Sequence, residues 1–380
     1  MSKFIPYGRQ CVDESDIKAV VDVLRSDWLT TGPTVDAFEK AVADFVGAEF
    51  SVAVSSGTAA LHTAMYALGI GPGDEVIVPA MTFASTANAV AFQCATPVFC
   101  DVDVDTLLID AGLIKTKITA RTKAIIAVDY AGQPCDYDAL RKIADKNNLV
   151  LVADASHSIG AEYKGRKVGT LADLNVFSFH PVKHITTGEG GMVVTDNPDY
   201  SRRMTVFRNH CITTDHRQRA EKGSWFYEMV DLGYNYRITD FQCALGMSQL
   251  KKLPGWIKRR QEIASRYDRA FDGLSDVKPL AVASNVSHVY HLYVVKLRNI
   301  ERDKVFSFLR TAGVGVNVHY IPVHLHPFYR ERFGTKEGLC PVAEAEYERI
   351  LSLPMFPALT NEDVDMVVSS VRKAVSQHTI

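Results

Sequence analysis

The stretch Asn175-Val-Phe-Ser-Phe-His-Pro-Val-Lys-His-Ile-Thr-Thr-Gly-Glu-Gly-Gly191 decides the fold. Its apolar start predicts a strand over Asn175–Phe179. Lys183 stands five residues after Ser178, and a glycine-rich turn then leads into a second predicted strand over Met192–Thr195. Because glycine has no Cβ, such a turn allows a close approach of the backbone to a ligand. The stretch therefore predicts two strands joined by a loop that carries a serine, a lysine and several glycines.

Another apolar strand is predicted upstream, over Leu149–Ala153, and it ends on Asp154. A carboxylate after one strand and a lysine after the next form a pattern that pyridoxal phosphate (PLP) chemistry needs. The lysine amine forms a Schiff base with the aldehyde of PLP, and the carboxylate keeps the pyridine nitrogen protonated, so that the ring accepts electrons. The alternatives are a solvated loop lysine for Lys183 and a helix N-cap for Asp154.

The segment Ser55-Ser-Gly-Thr-Ala-Ala60 is a candidate phosphate cradle, which holds Ser56, Gly57 and Thr58. It follows a predicted strand over Phe50–Val54 and opens a predicted helix over Ala59–Leu68. Free N–H groups at the start of a helix bind phosphate well, although an ordinary Ser or Thr N-cap would read the same. The order of phosphate turn, aspartate and lysine is more specific than any of the three features alone.

Strands and helices alternate along the first two thirds of the chain. Further strands are predicted at Glu75–Pro79, Pro97–Asp101 and Lys123–Val128, with helices at Phe83–Gln93 and Tyr137–Lys146. Such alternation predicts an α/β fold with a mostly parallel sheet. Ligands of these sheets bind beyond the carboxyl ends of the strands, which is where Asp154 and the loop of Lys183 are expected.

A smaller C-terminal α+β domain is predicted over residues 255–380, after a large domain over 1–254 whose N-terminal segment could pack on the small one. A basic helix, Leu253–Phe271, would link the two domains. The pattern beyond it predicts two strands and two helices, in the order His288–Leu297, Arg302–Ala312, Gly315–His319 and Asn361–Ser376.

Composition is that of a large α/β enzyme. The chain has 380 residues, of which 47% are hydrophobic and 23% charged, so it can form a full core without disulfides. The net charge of −2 gives no reason to expect nucleic-acid binding. Seven scattered cysteines without a C-x-x-C motif indicate neither a disulfide framework nor a cysteine-based zinc site. Because no signal peptide or membrane-spanning run is visible, we expect a cytoplasmic protein with no membrane partner.

The ordered motifs of the chain resemble those of the DegT/DnrJ/EryC1/StrS family of PLP-dependent sugar aminotransferases, which have the fold-type I architecture. The matching stretches run through nearly the whole chain: Trp28-Leu-Thr-Thr-Gly-Pro33, Ser56-Gly-Thr-Ala-Ala-Leu61, Pro79-Ala-Met-Thr-Phe83, Asp154-Ala-Ser-His157, Ser178 to Gly191, and Gly233-Tyr-Asn-Tyr-Arg237.

The resemblance implies a role for each matching residue. Lys183 would carry the cofactor and move protons, and Asp154 would pair with the pyridine nitrogen. The other implied roles are ring stacking by Phe83, phosphate binding by Ser56, Gly57, Thr58 and Ser178, contact with the ring hydroxyl by His157, and sugar-nucleotide contacts by His319 and Tyr320. Asn235 would reach the cofactor phosphate of a neighbouring subunit, since the family builds its sites at a homodimer interface. Each of these residues could instead be structural; Phe83 and His157, for example, could belong to the core.

Within the family, the stretches Val128-Asp-Tyr-Ala-Gly132 and His180-Pro-Val-Lys-His-Ile-Thr-Thr187 are similar to those of the pseudaminic acid branch. That branch implies transfer of an amino group from glutamate to C4 of a nucleotide sugar, a UDP-linked 4-keto-6-deoxy-N-acetyl sugar. The alternatives are another keto sugar (a D-configured UDP sugar or a dTDP sugar), a PLP-dependent sugar dehydratase, and a non-catalytic regulator. Since dehydratases of the family carry His at the position of Lys183, this residue favours transamination.

The three histidines His319, His324 and His326 could suggest zinc. We expect no metal, because Pro322 and Pro327 interrupt regular structure around them and the sequence offers no clear carboxylate ligand beside them.

Overall fold

The computed structural model describes residues 4–378. Its helices are α1 Glu14–Leu24, α2 Pro33–Val46, α3 Gly57–Leu68, α4 Ala84–Phe92, α5 Ala111–Ile114, α6 Tyr137–Lys146, α7 Pro198–Phe207, α8 His216–Glu221, α9 Asp240–Leu250, α10 Leu253–Phe271, α11 Arg302–Thr311, α12 Pro327–Phe333, α13 Pro341–Tyr347 and α14 Asn361–His378. Its strands are β1 Phe50–Val54, β2 Glu75–Pro79, β3 Thr96–Cys100, β4 Thr122–Val128, β5 Val150–Asp154, β6 Glu162–Tyr163, β7 Arg166–Lys167, β8 Leu174–Ser178, β9 Gly191–Thr195, β10 Val277–Pro279, β11 Val286–Ser287, β12 Tyr293–Leu297 and β13 Ile350–Leu353.

A seven-stranded sheet in the order β1-β9-β8-β5-β4-β2-β3 forms the centre of the molecule. Strands β8, β5, β4, β2 and β3 are parallel to one another, whereas β9 is antiparallel to both of its neighbours. Strands β2, β8 and β9 are buried along their whole length, as expected where helices cover both faces of a parallel sheet. The predicted α/β fold with a mostly parallel sheet is confirmed.

Helix α3 begins two residues earlier than predicted, at Gly57 instead of Ala59. Ser56 is its N-cap, and the Ser56 Oγ accepts a hydrogen bond from the Ala59 N–H at 3.1 Å. The N–H groups of Gly57 and Thr58 therefore belong to the first turn, where a helix has no carbonyl partner to offer them.

A second hydrophobic cluster lies around the three-stranded sheet β10-β12-β13 and is formed mainly by α10, α11 and α14. Ile5 belongs to this cluster, and its backbone pairs with Val314 and Gly315. Helix α10 contributes Leu253 to the first cluster and Tyr267 to the second. The division of the chain between residues 254 and 255 stays a prediction.

Two predictions for the C-terminal part are wrong. Residues 315–319 form no strand, because Asn317 makes only an isolated bridge with Ser352. Of the strand predicted over 288–297, only Tyr293–Leu297 pairs in a sheet.

Candidate active site

One cavity of about 520 Å³ opens at the carboxyl ends of the central strands. Ten of the eleven residues predicted for the site line it: Ser56, Gly57, Thr58, Phe83, Asp154, His157, Ser178, Lys183, His319 and Tyr320. They come from five separate segments of the chain. The exception is Asn235, which is exposed outside the cavity of its own chain.

An anion cradle lies at one end of the cavity, where β1, α3 and β8 meet. Gly57 is packed so closely that a Cβ atom at this position would lie 2.8 Å from the Ser178 Cβ. A Cβ at Gly191 would lie 2.4 Å from the Ser56 carbonyl oxygen. Only glycine fits at either place. Gly57 and Thr58 at the start of α3 line the cavity together with Ser178, and they offer backbone N–H and hydroxyl donors to an anion.

The Asp154 carboxylate ends β5 and is almost fully buried. Its Oδ1 accepts a hydrogen bond from the Ser156 Oγ at 2.6 Å, and its Oδ2 accepts one from the Thr86 Oγ1 at 2.7 Å. A carboxylate held on both oxygens keeps one orientation. It brings a fixed negative charge to the cavity wall.

Lys183 is partly exposed to the same cavity. Desolvation of the amine lowers the pKa of Lys183 to about 8, and the nearby charge of Asp154 opposes part of this shift. A lysine with such a pKa is neutral in a useful fraction of molecules near neutral pH, as a nucleophile or a base must be.

Histidine and tyrosine side chains form another part of the cavity wall. Burial lowers the pKa of His319 to about 4 and holds the pKa of His157 well below its usual range, so both rings are neutral at pH 7. The Tyr320 hydroxyl lies 3.2 Å from the His157 Nε2. The Nδ1 of His157 is buried and has no hydrogen-bond partner among residues 4–378, which leaves it free for a ligand.

The tautomer of His319 follows from its neighbours. The Oδ1 of Asn317 accepts from the Val318 N–H at 2.9 Å, so the Asn317 amide nitrogen faces the His319 Nε2, at 3.3 Å. Since that nitrogen only donates, the His319 Nε2 accepts, and the proton sits on Nδ1, which donates to the Ser352 Oγ at 2.8 Å.

Phe83 is 58% exposed and lies at the cavity wall, with its ring centroid 5.8 Å from that of Tyr320. The alternative of a core residue is therefore wrong for this phenylalanine. An exposed aromatic ring beside a cavity provides a flat apolar face for a ligand ring.

Sequence reasoning missed several residues that also line the cavity: Tyr7, Thr82, Ser85, Ser156, His180, Glu189, His291 and Asn317. Thr82, Ser156, His180 and Glu189 stand inside the motifs described above but carried no chemical signal of their own. Tyr7 lies far from the rest in sequence and reaches the site because its carbonyl accepts a hydrogen bond from the Met355 N–H.

The segment that precedes Asn235 presents apolar side chains to the surface. Trp225 is 85% exposed, and Phe226, Met229, Val230 and Leu232 are all more than half exposed. Asn235 pairs with Asn209 in an isolated antiparallel bridge, and the next residue, Tyr236, accepts a hydrogen bond from Ser55 N–H beside the anion cradle. An apolar surface of this kind marks an interaction site.

A model of the DegT/DnrJ/EryC1/StrS aminotransferase family matches residues 10–372. This chain belongs to that family. The spore coat polysaccharide biosynthesis protein SpsC of Bacillus subtilis is 42% identical over 378 residues, which cover 98% of this chain and 97% of SpsC.

Two solved structures are similar over almost their whole length. The putative sugar aminotransferase Spr1654 of Streptococcus pneumoniae, in its PMP form, has a TM-score of 0.94 with 35% identity and covers 98% of this chain and 99% of its own. PseC of Helicobacter pylori, an aminotransferase involved in pseudaminic acid biosynthesis, has a TM-score of 0.93 with 34% identity, covering 99% and 100%.

The DegT/DnrJ/EryC1/StrS member described here is thus a PLP-dependent sugar aminotransferase. Its cavity fits PLP on three observations. The glycine-bounded anion cradle suits the phosphate, the unpartnered Nδ1 of His157 suits a ring substituent, and the charge of Asp154 suits a protonated ring nitrogen.

His324, unlike His319, does not line the cavity. The Nε2 of His324 is 2.7 Å from Glu344 Oε1, so the expectation that no carboxylate adjoins this stretch is wrong; Glu344 is remote in sequence. Glu344 also accepts from the N–H groups of Gly338 and Cys340, which makes it a local structural brace. Among residues 4–378, no group of three or more His, Cys, Asp or Glu side chains could hold a metal ion.

A separate property concerns membranes. Within the described residues, every helix is either too short or too polar to cross a bilayer.

Proposed function

We propose that this enzyme transfers the amino group of glutamate to C4 of UDP-2-acetamido-2,6-dideoxy-β-L-arabino-hexos-4-ulose, a step of pseudaminic acid biosynthesis. The observation that carries the choice of sugar is the whole-chain similarity to PseC together with the stretches 128–132 and 180–187. Spr1654 is as similar in fold, and its name specifies no sugar. Fold similarity alone therefore does not separate the substrates of these enzymes, and the choice of sugar rests on the stretches 128–132 and 180–187, which resemble the pseudaminic acid branch.

The cavity suits two substrates in turn. When bound, PLP supplies an aldehyde that takes up the amino group and a ring that delocalises the electrons left after a proton is removed. A volume of about 520 Å³ is within the range of small-molecule sites. Since one cavity serves both donor and acceptor, ping-pong kinetics are expected.

Lys183 is the proposed proton carrier. Its neutral Nζ removes the proton from Cα of glutamate in the first half-reaction, and as an ammonium it returns the proton on the cofactor side. In the second half-reaction the Nζ of Lys183 removes a proton on the cofactor side and delivers it to C4 of the sugar. The lowered pKa of Lys183, about 8, supports this role, because both protonation states are then accessible at working pH.

The remaining residues bind and orient. Asp154 is proposed to hold the charge of the ring nitrogen, and Phe83 to cover one ring face. Ser56, Gly57, Thr58 and Ser178 are proposed to hold the phosphate, and the Nδ1 of His157 to contact the ring hydroxyl. His319 and Tyr320, which are both uncharged at pH 7, are proposed to contact the sugar nucleotide.

We propose further that two copies of the chain share their sites. The support is the exposed apolar segment 225–234 next to Asn235, which lies outside its own cavity. Burial of Trp225 and Leu232 against a second copy would stabilise the pair by the hydrophobic effect. Asn235 would then reach the cofactor phosphate of the partner.

The decisive experiment for the sugar is a direct comparison of kcat/KM for the L-arabino-configured UDP 4-keto sugar and its C5 epimer, with glutamate as donor. Discrimination depends on placing one methyl group, which is worth about 1–3 kcal/mol, or roughly 10–200-fold. We expect a clear preference for the L-configured sugar with slow turnover of the epimer. A higher kcat/KM for the D-configured UDP sugar, or for a dTDP 4-keto sugar, would overturn the choice of substrate and leave the aminotransferase activity intact.

A further inference from the structure

Two buried threonines connect the cavity wall to Asp154. Thr86, on α4, is completely buried, and its Oγ1 lies 2.7 Å from the Asp154 Oδ2. The Oγ1 of Thr82 lies 2.8 Å from the Oγ1 of Thr86, and Thr82 lines the cavity. Neither threonine has a role in the function proposed above.

The direction of this chain of hydrogen bonds is fixed by chemistry. An ionised carboxylate has only acceptor atoms, so the single hydroxyl proton of Thr86 must point at Asp154. The Oγ1 of Thr86 can then only accept from its other neighbour, so Thr82 donates to it. The result is a one-way relay, Thr82 to Thr86 to Asp154, in which each donor polarises the next.

We propose that Thr86 is a positioning residue that fixes the orientation of the Asp154 carboxylate, with Thr82 strengthening its hydrogen bond. This inference rests on the proposed role of Asp154 at the ring nitrogen. Ser156 holds Oδ1 and Thr86 holds Oδ2 from different segments, so rotation of the carboxylate breaks one bond or the other. Because Thr86 is buried, a replacement that lacks the hydroxyl leaves Oδ2 without a donor.

A set of matched variants tests the hydroxyl apart from the shape of the side chain. Thr86→Val keeps the branched shape and removes the donor. We expect kcat to fall by about tenfold or more, the scale of one hydrogen bond to a charged group, and the PLP dissociation constant of the apoprotein to rise. Thr86→Ser keeps the hydroxyl and should restore both properties. Should Thr86→Val fail to fold, Thr86→Ala against Thr86→Ser makes the same comparison.

The control is Thr63→Val. Thr63 is equally buried, but its Oγ1 has no hydrogen-bond partner among the described residues. Removal of this hydroxyl should leave kcat and PLP affinity unchanged. Thr82→Val removes only the remote donor and should have an effect of the same sign as Thr86→Val but smaller.

The kinetic isotope effect of α-deuterated glutamate separates positioning from general damage. If the carboxylate is misplaced, removal of the Cα proton becomes slower relative to the other steps, so the isotope effect on kcat should grow in Thr86→Val and return to the wild-type value in Thr86→Ser. A general loss of folded protein would lower kcat without changing the isotope effect.

Two results would overturn the inference: a Thr86→Val enzyme with wild-type kcat and PLP affinity, or a Thr86→Ser enzyme as impaired as Thr86→Val. Asp154→Asn distinguishes this from a failure of the proposed function. If Asp154→Asn is impaired and Thr86→Val is normal, only the positioning role is lost. If Asp154→Asn itself behaves as wild type, the role of Asp154 is wrong and the inference falls with it.

Discussion

The amine of Lys183 should control how fast the apoprotein captures PLP, because only the neutral amine attacks the aldehyde. Desolvation moves its pKa from the ordinary 10.5 to about 8. At pH 7 the neutral fraction of such an amine is roughly 9%, against roughly 0.03% for an ordinary lysine, which is a gain of about 300-fold. The rate of capture should therefore rise about fivefold between pH 7 and pH 8, bend near pH 8 and level off above it.

Stopped-flow mixing of PLP with apoprotein, followed by visible absorbance between pH 7 and pH 10, measures this profile. Nα-acetyl-lysine under the same conditions is the reference, and its rate should still be rising at pH 10, because the ordinary lysine pKa is 10.5. The charge of Asp154 favours the ammonium form of Lys183. Asp154→Asn should therefore lower the pKa of the amine and move the bend to lower pH. A protein bend near that of free lysine, or a shift of the Asp154→Asn bend to higher pH, would refute the reasoning.

Three further predictions follow from the same geometry. Gly57→Ala should raise the PLP dissociation constant by about tenfold or more, since the added Cβ would lie 2.8 Å from the Ser178 Cβ; Gly71→Ala, with open space around its Cβ, is the control in the same titration. Borohydride reduction of the PLP-bound protein and peptide mapping should put the label on Lys183, and Lys183→Arg should have no turnover, because arginine stays protonated; a label elsewhere would contradict the assignment. Co-expression of Lys183→Ala with Asn235→Ala chains should restore part of the activity that each variant lacks alone, whereas inactive mixed dimers would show that the site is built within one chain.

The fold could be predicted where neighbouring residues in the sequence show a clear apolar run or a helical pattern. Strands β1 and β2 and helices α6 and α10 have the predicted bounds, because apolar runs or helical periodicity mark both ends of each. The strand predicted over 315–319 is wrong because the apolar residues of this segment pack into the core without forming a continuous hydrogen-bonded ladder with another strand. Val314 meets Ile5 and Asn317 meets Ser352, through bridges between segments far apart in the chain.

The sequence predicts a residue of the site only where a distinctive residue type stands at a recognisable position, such as the end of a strand. Asp154 and Lys183 could be found because each follows a strand, and the carboxyl ends of parallel strands share one edge. Thr86 could not, because its contact with Asp154 joins residues 68 positions apart and a threonine has no distinguishing signal in sequence. Tyr7 was missed for the same reason. The sequence near His324 contains no clear carboxylate ligand, yet Glu344, twenty residues away in the chain, contacts this histidine in the folded structure.

The contact of Tyr7 with Met355 sets an order of events during biosynthesis. Residues 5–7 leave the ribosome long before residues 313–315 and Met355 are made. Yet Ile5 pairs with the segment 313–315, and the Tyr7 carbonyl accepts a hydrogen bond from the Met355 N–H. Domains generally fold as they emerge, so the central sheet, β1 to β9, can form while Ile5 and Tyr7 are still unpaired. The cavity gains its Tyr7 wall only when residue 355 has left the exit tunnel. A nascent chain therefore cannot present a complete site until Met355 has emerged, and a bulky fusion placed close to Ile5 should impair this last step more than a fusion placed after α14.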